Sequence, residues 1–333
     1  MIGRQVSDYK IVREIGSGGF GTVYLGENIL DSNIQVALKV ANQQLSKDKV
    51  FIEALKKEYR LLNQLNCPQV VRFQGLSQID GQLVLIMEHL EGEELKDRLK
   101  RSKLSVVESF RITKEVLQGL KHTHSKGILH RDIKPANIFI CSDGRVKLLD
   151  FGISKAMDKT SSGQSSQMLS GTLDYMPPER FNNHSGCFTD IYSLGLVLWE
   201  LLSGRVACEG DGLVGKMGWH VNKGVDDIRK YCPELSESQV EFVMKMCDRD
   251  PNKRPEDGKK ALEMLESLST TPTSGSSGTE ILDKKEVEQV VFGNQQESNN
   301  DNVVQTQRVS QEEVQSHRQL GKGNTVSIPK SDV

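Results

Sequence analysis

The sequence has little of what marks a secreted or membrane-spanning protein. Its six cysteines are scattered without a C-x-x-C pair, which favours free thiols over disulfides or a zinc site. The longest apolar run, 191–202, contains Ser193 and Gly195 and is too short to span a bilayer. The N-terminus has no apolar stretch of signal-peptide length, and Gly3 is one position too late for N-myristoylation. We therefore expect an intracellular, cytoplasmic protein without a membrane segment.

The sequence also lacks an excess of charge of either sign. It has 43 Lys and Arg residues against 45 Asp and Glu residues, a formal net charge of −2. A dedicated nucleic-acid-binding protein normally has a basic excess, so we expect no nucleic-acid partner. The 36% of hydrophobic residues is typical of a globular chain with an apolar core. The length fits one large two-lobed domain with an extension.

Apolar patterns divide the first 268 residues into two parts. The first ninety residues predict a small β-rich unit with one helix, and the pattern then becomes mainly helical. Strands are predicted at 9–15, 22–27, 35–40 and 83–87. Helices are predicted at 51–65, 105–124, 190–203, 236–247 and 258–268. A dense region of loops and strands, 128–180, separates the second of these helices from the third.

The composition changes at about residue 269. Residues 269–278 read STTPTSGSSG, which is typical of a flexible linker. The residues that follow are rich in Gln, Asn, Ser and Glu, and they predict a disordered tail. A faint apolar cluster at 287–292 leaves open a short docking or autoregulatory helix around 280–292.

A glycine-rich motif, G-x-G-x-x-G, occupies 16–21. Dinucleotide-binding folds use the same spacing, but there the motif leads from a strand into a helix. Here Gly21 is followed by Thr-Val-Tyr-Leu, so the loop joins two strands. Glycines let backbone amides close over phosphate groups without a clash from Cβ. Alone, the motif is also compatible with an ordinary glycine hairpin.

Lys39 lies inside an apolar strand, where a lysine is costly unless its charge is paired. Glu58, on the predicted helix, is the expected partner. Glu53 is the competitor, and it lies about 140° around the helix from Glu58, so both cannot face the strand. The apolar stripe that includes Leu62 favours Glu58.

The most informative segment is HRDIKPAN at 130–137, followed by DFG at 150–152. Three further motifs follow in order: GTLDYMPPE at 171–179, DIYSLG at 190–195 and DPNKRP at 250–255. Together with the glycine-rich loop and Lys39, these motifs resemble the eukaryotic-type (Hanks-type) serine/threonine protein kinase family. The resemblance covers about residues 9–268.

The resemblance implies an α+β, bilobal protein kinase fold. A small β-rich N-lobe with one key helix is expected at about 9–88, a hinge at 88–92, and a larger, mainly helical C-lobe at 93–268. The kinase domain would thus span 9–268, and the polar tail would span 269–333.

The resemblance also implies roles in phosphoryl transfer from ATP, which depends on positioning and charge neutralisation. Asp132 would accept or orient the proton of the attacking hydroxyl, and Lys134 would neutralise charge on the γ-phosphate. Lys39, held by Glu58, would bind the α- and β-phosphates. The oxygen ligands of Mg²⁺ would come from Asn137 and Asp150.

The implied ATP-binding residues surround the base and the phosphates. Val23, Ala37 and Phe139 would sandwich the adenine, and backbone groups of Glu88 and Leu90 would hydrogen-bond its edge. The complete expected set is Ile15, Gly16, Ser17, Gly18, Gly19, Phe20, Gly21, Val23, Ala37, Lys39, Met87, Glu88, Leu90 and Phe139.

Two residues of the resemblance concern the substrate. A lysine at the place of Lys134 goes with serine or threonine specificity in this family, and Thr172 in the G-T-x-x-Y motif indicates the same. We therefore expect protein substrates with serine or threonine acceptors.

Regulation by phosphorylation is expected because Arg131 directly precedes Asp132. Hydroxyl groups cluster at 160, 161, 162, 165, 166 and 170, and self-phosphorylation there is expected. The alternative is a polar loop without a switch.

The resemblance also predicts packing partners. Leu62, Phe73, His130 and Phe151 match the family's column of stacked side chains. Glu179 and Arg254 match its buried ion pair.

Two departures from the family pattern stand out. Pro177 replaces the usual alanine, which is a common variant. The glycine-rich segment 204–224 lacks the expected Pro-Phe, and it is either a specialised docking surface or a loosely ordered connector.

Other functions are disfavoured by residues that are present. A pseudokinase would be expected to lack Lys39, Asp132 or Asp150. A small-molecule kinase of related fold would lack the peptide-presenting segment 171–179. A tail that recruits partners for the kinase remains compatible with the main interpretation.

Overall fold

The computed structural model describes residues 1–63, 65–151, 173–182 and 184–268, without the side chain of Glu58. The predicted tail 269–333 and the hydroxyl cluster 160–170 lie outside the described residues.

The described strands form two antiparallel sheets. A six-stranded sheet has the order β1-β2-β3-β4-β6-β5, and a three-stranded sheet has the order β7-β8-β9. The strands are β1 Gln5–Val6, β2 Tyr9–Gly18, β3 Gly21–Asn28, β4 Gln35–Ala41, β5 Phe73–Ile79, β6 Gln82–Glu88, β7 Gly92–Glu94, β8 Ile138–Cys141 and β9 Val146–Leu148.

Most of the helices follow the large sheet in the chain. The α-helices of the described part are α1 Gln43–Lys47, α2 Lys49–Leu62, α3 Leu95–Arg101, α4 Val106–His124, α5 Cys187–Ser203, α6 Gly212–Gly218, α7 Glu237–Met246 and α8 Gly258–Leu268. A sheet with α1 and α2 thus forms the smaller half, and the remaining helices form the larger half.

The strand predictions are confirmed, and β2 is longer than predicted. It continues to Gly18, because 16–18 pair with 21–23 across the hairpin. Gly21 has φ +154°, and a Cβ there would lie 1.9 Å from the Val40 carbonyl oxygen. Only glycine therefore fits this position.

The predicted helices are present, with shifted ends. The helix expected at 51–65 is α2, which begins earlier because the Asp48 side chain accepts hydrogen bonds from the N–H groups of Val50 and Phe51. Such an N-cap satisfies donors that the first helical turn leaves unpaired. The six cysteines are free, as expected.

The larger half is organised around α5. Thirteen of its seventeen residues are buried, so the helix is surrounded on all sides. It packs against α4, α7 and α8, and Trp199 contributes its indole N–H to the Asp226 carbonyl oxygen at 3.0 Å. This central helix carries Asp190 near its N-terminus, so the core positions a residue of the site.

Within the described residues, every helix is too short or too polar to cross a bilayer. The cytoplasmic location stays a prediction.

The predicted ion pair between Glu179 and Arg254 is present. Arg254 Nη1 and Nη2 lie 2.6 Å and 3.0 Å from the two Glu179 carboxylate oxygens. The guanidinium is fully buried, and its Cζ lies 4.5 Å from the ring centroid of Tyr192. It also donates to the carbonyl oxygens of Asp248 and Phe188. One side chain therefore fastens the segment before α5 to the turns that follow α7.

We expect Arg254→Met to lower the free energy of unfolding by about 3–5 kcal/mol, because it leaves the Glu179 carboxylate buried without its partner. Urea unfolding followed by circular dichroism measures this. Lys259→Met, which removes an exposed ion pair with Glu263, is the matched control and should leave the midpoint nearly unchanged. Equal midpoints for Arg254→Met and the wild type would contradict the prediction.

Candidate active site

The catalytic-loop segment at 130–137 is held by one buried carboxylate. Asp190 Oδ2 accepts the backbone N–H of His130 at 2.8 Å, and Asp190 Oδ1 accepts the backbone N–H of Arg131 at 2.8 Å. Arg131 has φ +69°, a left-handed conformation that costs energy for a residue with a Cβ. Asp190 therefore stabilises a strained turn directly before Asp132.

Two buried histidines surround this carboxylate. His124 Nδ1 accepts the N–H of Gly258 at 3.0 Å, so its Nε2–H donates to Asp190 Oδ2 at 2.9 Å. His130 Nε2–H donates to the Leu149 carbonyl oxygen at 2.8 Å. Burial is the main influence that lowers the pKa of His130 below its usual value. The His130 ring is therefore neutral, and both rings hold fixed hydrogen bonds beside the catalytic-loop segment.

The pKa of Asp190 is lowered despite complete burial. Desolvation is the largest single influence and acts to raise it, but the hydrogen bond from His124 and those from the backbone together outweigh desolvation. Asp190 is therefore ionised. The sequence alone gave Asp190 no role, although the DIYSLG motif contains it.

The two carboxylate oxygens of Asp132 have different surroundings. Oδ2 accepts Asn137 Nδ2 at 2.9 Å and lies 2.8 Å from Lys134 Nζ. Oδ1 is buried and has no hydrogen-bond partner among the described residues. A buried acceptor without a partner is costly, and such atoms are typical of functional sites. Asp132 is thus oriented through one oxygen and leaves the other available.

Lys39 is almost fully buried, and its ammonium contacts a second predicted site residue. Lys39 Nζ lies 2.5 Å from Asp150 Oδ1 and 5.2 Å from the ring centroid of Phe20. Glu58 lies on α2, but its side chain is outside the described structure. The competing Glu53 is exposed and pairs with Lys56 at 2.9 Å, so it does not face Lys39.

The residues predicted to bind Mg²⁺ retain oxygen ligands for it. Asn137 uses its Nδ2 for the backbone and side chain of Asp132, so its Oδ1 is the atom available to a metal. Asp150 has φ +59° and meets Lys39 through Oδ1, which leaves Oδ2. Hard oxygen ligands suit Mg²⁺, so this pair fits the ion. No cluster of three or more His, Cys, Asp or Glu side chains that could hold a metal exists in the described ranges.

The tip of the glycine-rich loop accepts hydrogen bonds from Asn42, which directly follows β4. Its backbone N–H donates to the Phe20 carbonyl oxygen at 2.9 Å, and its Nδ2 donates to that of Gly19 at 3.2 Å. The Oδ1 of the same side chain accepts the N–H of Leu45 at 2.9 Å and caps α1. Phe20 is buried, and its ring centroid lies 5.9 Å from that of Phe51 on α2.

The predicted adenine-binding residues lie on both sheets: three are on neighbouring strands of the large sheet, and Phe139 is on the small one. Val23, on β3, is partly buried, whereas Ala37 on β4 and Met87 on β6 pair with each other and are buried. Phe139, on β8, is partly buried. Of the remaining set, 15–21 form the hairpin of β2 and β3, in which Ile15 is exposed. Leu90 lies between β6 and β7 and packs against the core.

Glu88 differs in part from the expectation. Its backbone N–H donates to the Arg72 carbonyl oxygen at 2.9 Å, so its carbonyl is the backbone group left for adenine. Its side chain has a role that the sequence did not reveal: Oε1 accepts the Arg72 N–H at 2.7 Å and lies 2.6 Å from Lys147 Nζ. Because Lys147 is buried on β9, this pair joins the end of β6 to the strand that precedes Asp150.

The expected column of side chains is buried. The ring centroids of His130 and Phe151 are 4.3 Å apart. Leu62, Phe73 and Phe151 belong to one core cluster. This packing links α2 and β5 to the catalytic loop.

The glycine-rich segment 204–224 is ordered and contacts the segment predicted to present peptides. It contains α6 and a turn of π-helix, Trp219–Lys223. Lys216 Nζ lies 2.6 Å from Asp174 Oδ1, and His220 Nε2–H donates to the Leu173 carbonyl oxygen at 2.7 Å. Burial lowers the pKa of His220 to about 4, which keeps the ring neutral. A loosely ordered connector is therefore the wrong alternative.

The family model described as "Protein kinase domain" matches residues 9–267. The chain belongs to the protein kinase family. The kinase domain and the site thus coincide, because the residues of the site all lie in the matched range.

Curated proteins resemble the kinase domain over part of their length. The chain is 33% identical over 261 residues to the serine/threonine-protein kinase PrkC of Bacillus subtilis, covering 77% of this chain and 40% of PrkC. It is 37% identical over 225 residues to the serine/threonine-protein kinase PknE of Mycobacterium tuberculosis, covering 67% of this chain and 39% of PknE. The chain thus spans about two fifths of the length of these relatives.

A solved structure supports the bilobal kinase fold. The crystal structure of the PknI kinase domain from Mycobacterium tuberculosis superposes with a TM-score of 0.64 at 22% identity, covering 81% of this chain and 99% of that chain. At this identity the likeness concerns the fold alone.

We expect Asp190→Asn to lower the free energy of unfolding by about 1–3 kcal/mol at pH 7, because the amide cannot accept all the hydrogen bonds of the carboxylate. The lowered pKa of Asp190 stabilises the wild type above the usual carboxyl pKa of about 4. That contribution is lost as the pH falls through the lowered pKa. The difference between wild type and variant should therefore narrow below pH about 4.

Urea unfolding at pH 7 and at acidic pH measures this difference. Asp211→Asn is the matched control, since Asp211 is exposed and makes no side-chain cap hydrogen bond. A difference that stays constant down to the acid limit would contradict an ionised Asp190.

Proposed function

We propose that the protein transfers the γ-phosphate of ATP to serine and threonine hydroxyls of protein substrates, with Asp132 as the catalytic base. The single observation that carries this proposal is the asymmetry of the Asp132 carboxylate. One oxygen is held by Asn137 and Lys134, and the other is buried without a partner in the described part of the chain. An acceptor hydroxyl is the group that would complete this environment.

The two lysines of the site each neutralise charge on a different part of the triphosphate. Lys39, on β4, binds the α- and β-phosphates, and Lys134 neutralises charge that develops on the γ-phosphate. Their present partners are Asp150 and Asp132, so each cation is held in place before ATP arrives. We propose that Glu58 holds Lys39 when the metal engages Asp150.

Asn137 and Asp150 would hold Mg²⁺ through Oδ1 and Oδ2 respectively. When bound, the ion would neutralise negative charge on the phosphates. The Asn137 amide nitrogen meanwhile keeps Asp132 oriented, so this residue couples the metal site to the base.

The adenine lies between Val23, Ala37 and Phe139 in this proposal, against Met87 and Leu90. The Glu88 carbonyl and the backbone of Leu90 hydrogen-bond its edge. The loop 15–21 covers the phosphates with its backbone amides. A kinase domain spanning 9–268, followed by a polar tail, is part of the same proposal.

The choice of serine and threonine rests on Lys134, on Thr172, and on the names of PrkC and PknE as serine/threonine-protein kinases. Lys134 lies beside Asp132. In this proposal it contacts the γ-phosphate that the acceptor hydroxyl attacks.

We expect Asp132→Asn to lower phosphate transfer about 100-fold or more, because the amide cannot accept the hydroxyl proton. Nucleotide affinity should change little. Radiolabelled ATP and a degenerate Ser/Thr/Tyr peptide array measure transfer, and a fluorescent nucleotide measures binding. Asp143→Asn, at an exposed turn, is the matched control. Equal labelling by the wild type and Asp132→Asn would overturn the assignment of the base.

A second expectation concerns regulation. Arg131 Nε is buried and lacks a partner within the described structure, and a phosphate group is a strong acceptor for a guanidinium. We propose self-phosphorylation between 154 and 172, at one or more of Thr160, Ser161, Ser162, Ser165, Ser166 and Ser170. Phosphorylated wild type should then turn over peptide faster than protein treated with phosphatase, and Arg131→Ala should lose this difference.

Intact-mass analysis and peptide mapping after incubation with ATP and Mg²⁺ test the modification itself. Phosphate that maps elsewhere, or no phosphate between 154 and 172, would refute this part of the proposal without affecting transfer to peptides.

A further inference from the structure

A cleft of about 640 Å³ opens beside the catalytic loop. Its walls come from α3, from 134–136 of the catalytic loop, from Asp174 and Tyr175, and from 204–206 at the start of the glycine-rich segment. Lys134 lines this cleft and lies 2.8 Å from Asp132 Oδ2. A peptide whose hydroxyl reaches Asp132 therefore brings its neighbouring residues to the cleft.

The side chains around the cleft are mainly cationic. Two acidic residues, Asp174 and Glu200, also line it. The cationic residues are Lys96, Lys100, Lys103, Lys134 and Arg205. A cleft lined by an excess of one charge concentrates ligands of the opposite charge.

Both acidic residues are already compensated. Asp174 pairs with Lys216 of α6 at 2.6 Å. Glu200 accepts the hydroxyl of Tyr175 at 2.6 Å, and burial raises the pKa of Glu200 above its usual value. Neither residue therefore presents an uncompensated negative charge to a peptide, so a basic side chain gains little here.

The cations are compensated unevenly. Three of them have acidic partners: Lys100 with Asp97, Arg205 with Glu209, and Lys134 with Asp132. Lys96 and Lys103 are exposed, and neither has an ion pair or a side-chain hydrogen bond with another residue of the described ranges. Lys96, in the first turn of α3, and Lys103, two residues after its end, thus line the cleft together with the apolar side chains of Leu99 and Pro135.

We propose that this cleft is a subsite for an anionic side chain of the peptide substrate, held by Lys96 and Lys103. The shared chemistry is a carboxylate or a phosphate within a few residues of the acceptor. The proposal rests on the proposed function, because it concerns the peptide that receives the phosphate. It also gives a use to the glycine-rich segment, since Lys216 neutralises the acid that would otherwise repel such a peptide.

The test uses the full chain and peptides with one threonine in a glutamine and alanine background. At each position from five before to four after the threonine, the peptide carries Glu, phosphoserine, Gln or Lys. The value of kcat/KM is measured for each peptide with radiolabelled ATP. We expect Glu or phosphoserine at one or two neighbouring positions to raise kcat/KM about tenfold over Gln. The Glu and phosphoserine arms distinguish a carboxylate from a phosphate as the natural group.

Variants that reverse the charge of Lys96 and Lys103 provide the decisive comparison. Lys96→Glu, Lys103→Glu and the double variant should lose the preference for Glu and gain one for Lys at the same positions. Their kcat/KM for the uncharged peptide should stay within about twofold of the wild type, which shows that they fold. Lys103→Gln provides a milder second variant that should remove most of the preference. Lys245→Glu, an exposed lysine on α7 outside the cleft, is the matched control and should behave as the wild type.

Equal kcat/KM for Glu, Gln and Lys peptides would overturn the subsite and leave the kinase function intact. Preference for anionic peptides that survives both reversals would also overturn it, because the recognition would then lie elsewhere. A wild type that labels no more peptide than Asp132→Asn would overturn the proposed function itself.

Discussion

The active site depends on one buried carboxylate more than on any residue that would touch ATP. Asp190 stands near the start of the central helix and accepts the backbone N–H groups of His130 and Arg131. Its ionised state holds Arg131 in a left-handed conformation, and this turn delivers Asp132 to the site. The helical core thus positions Asp132, the proposed base, because α5 cannot shift without moving the turn before it.

The site contains two ion pairs among its described residues, and each paired residue also has a role in the proposed reaction. Lys39 meets Asp150, and Lys134 meets Asp132, so each cation is neutralised by an acid that has a separate task. The desolvation cost of a buried ammonium is thereby offset before any phosphate is present. In the proposed reaction, phosphate oxygens would take over the contacts of these lysines with their acidic partners.

The sequence located the chemistry better than it described the scaffold. Strands β2 to β4, helices α4 and α5, the catalytic loop and the pair of Glu179 with Arg254 follow from local patterns and family motifs. Helix α6 does not, because it contains three glycines and buries none of its residues, so propensity argues against it. Its contacts with Asp174 and Leu173 are tertiary. The same holds for Glu88 with Lys147, which are far apart in the chain and gave no periodic signal.

Asn42, which directly follows β4, restrains the tip of the glycine-rich loop. Three atoms of Asn42 form hydrogen bonds to the loop tip and to the first turn of α1, so one residue positions two elements. Moving the loop tip away from Asn42 must break its bonds to Gly19 and Phe20, and moving it along the strands must also break the pairing of β3 with β4. The loop tip is therefore restrained by the end of β4 as well as by its own hairpin.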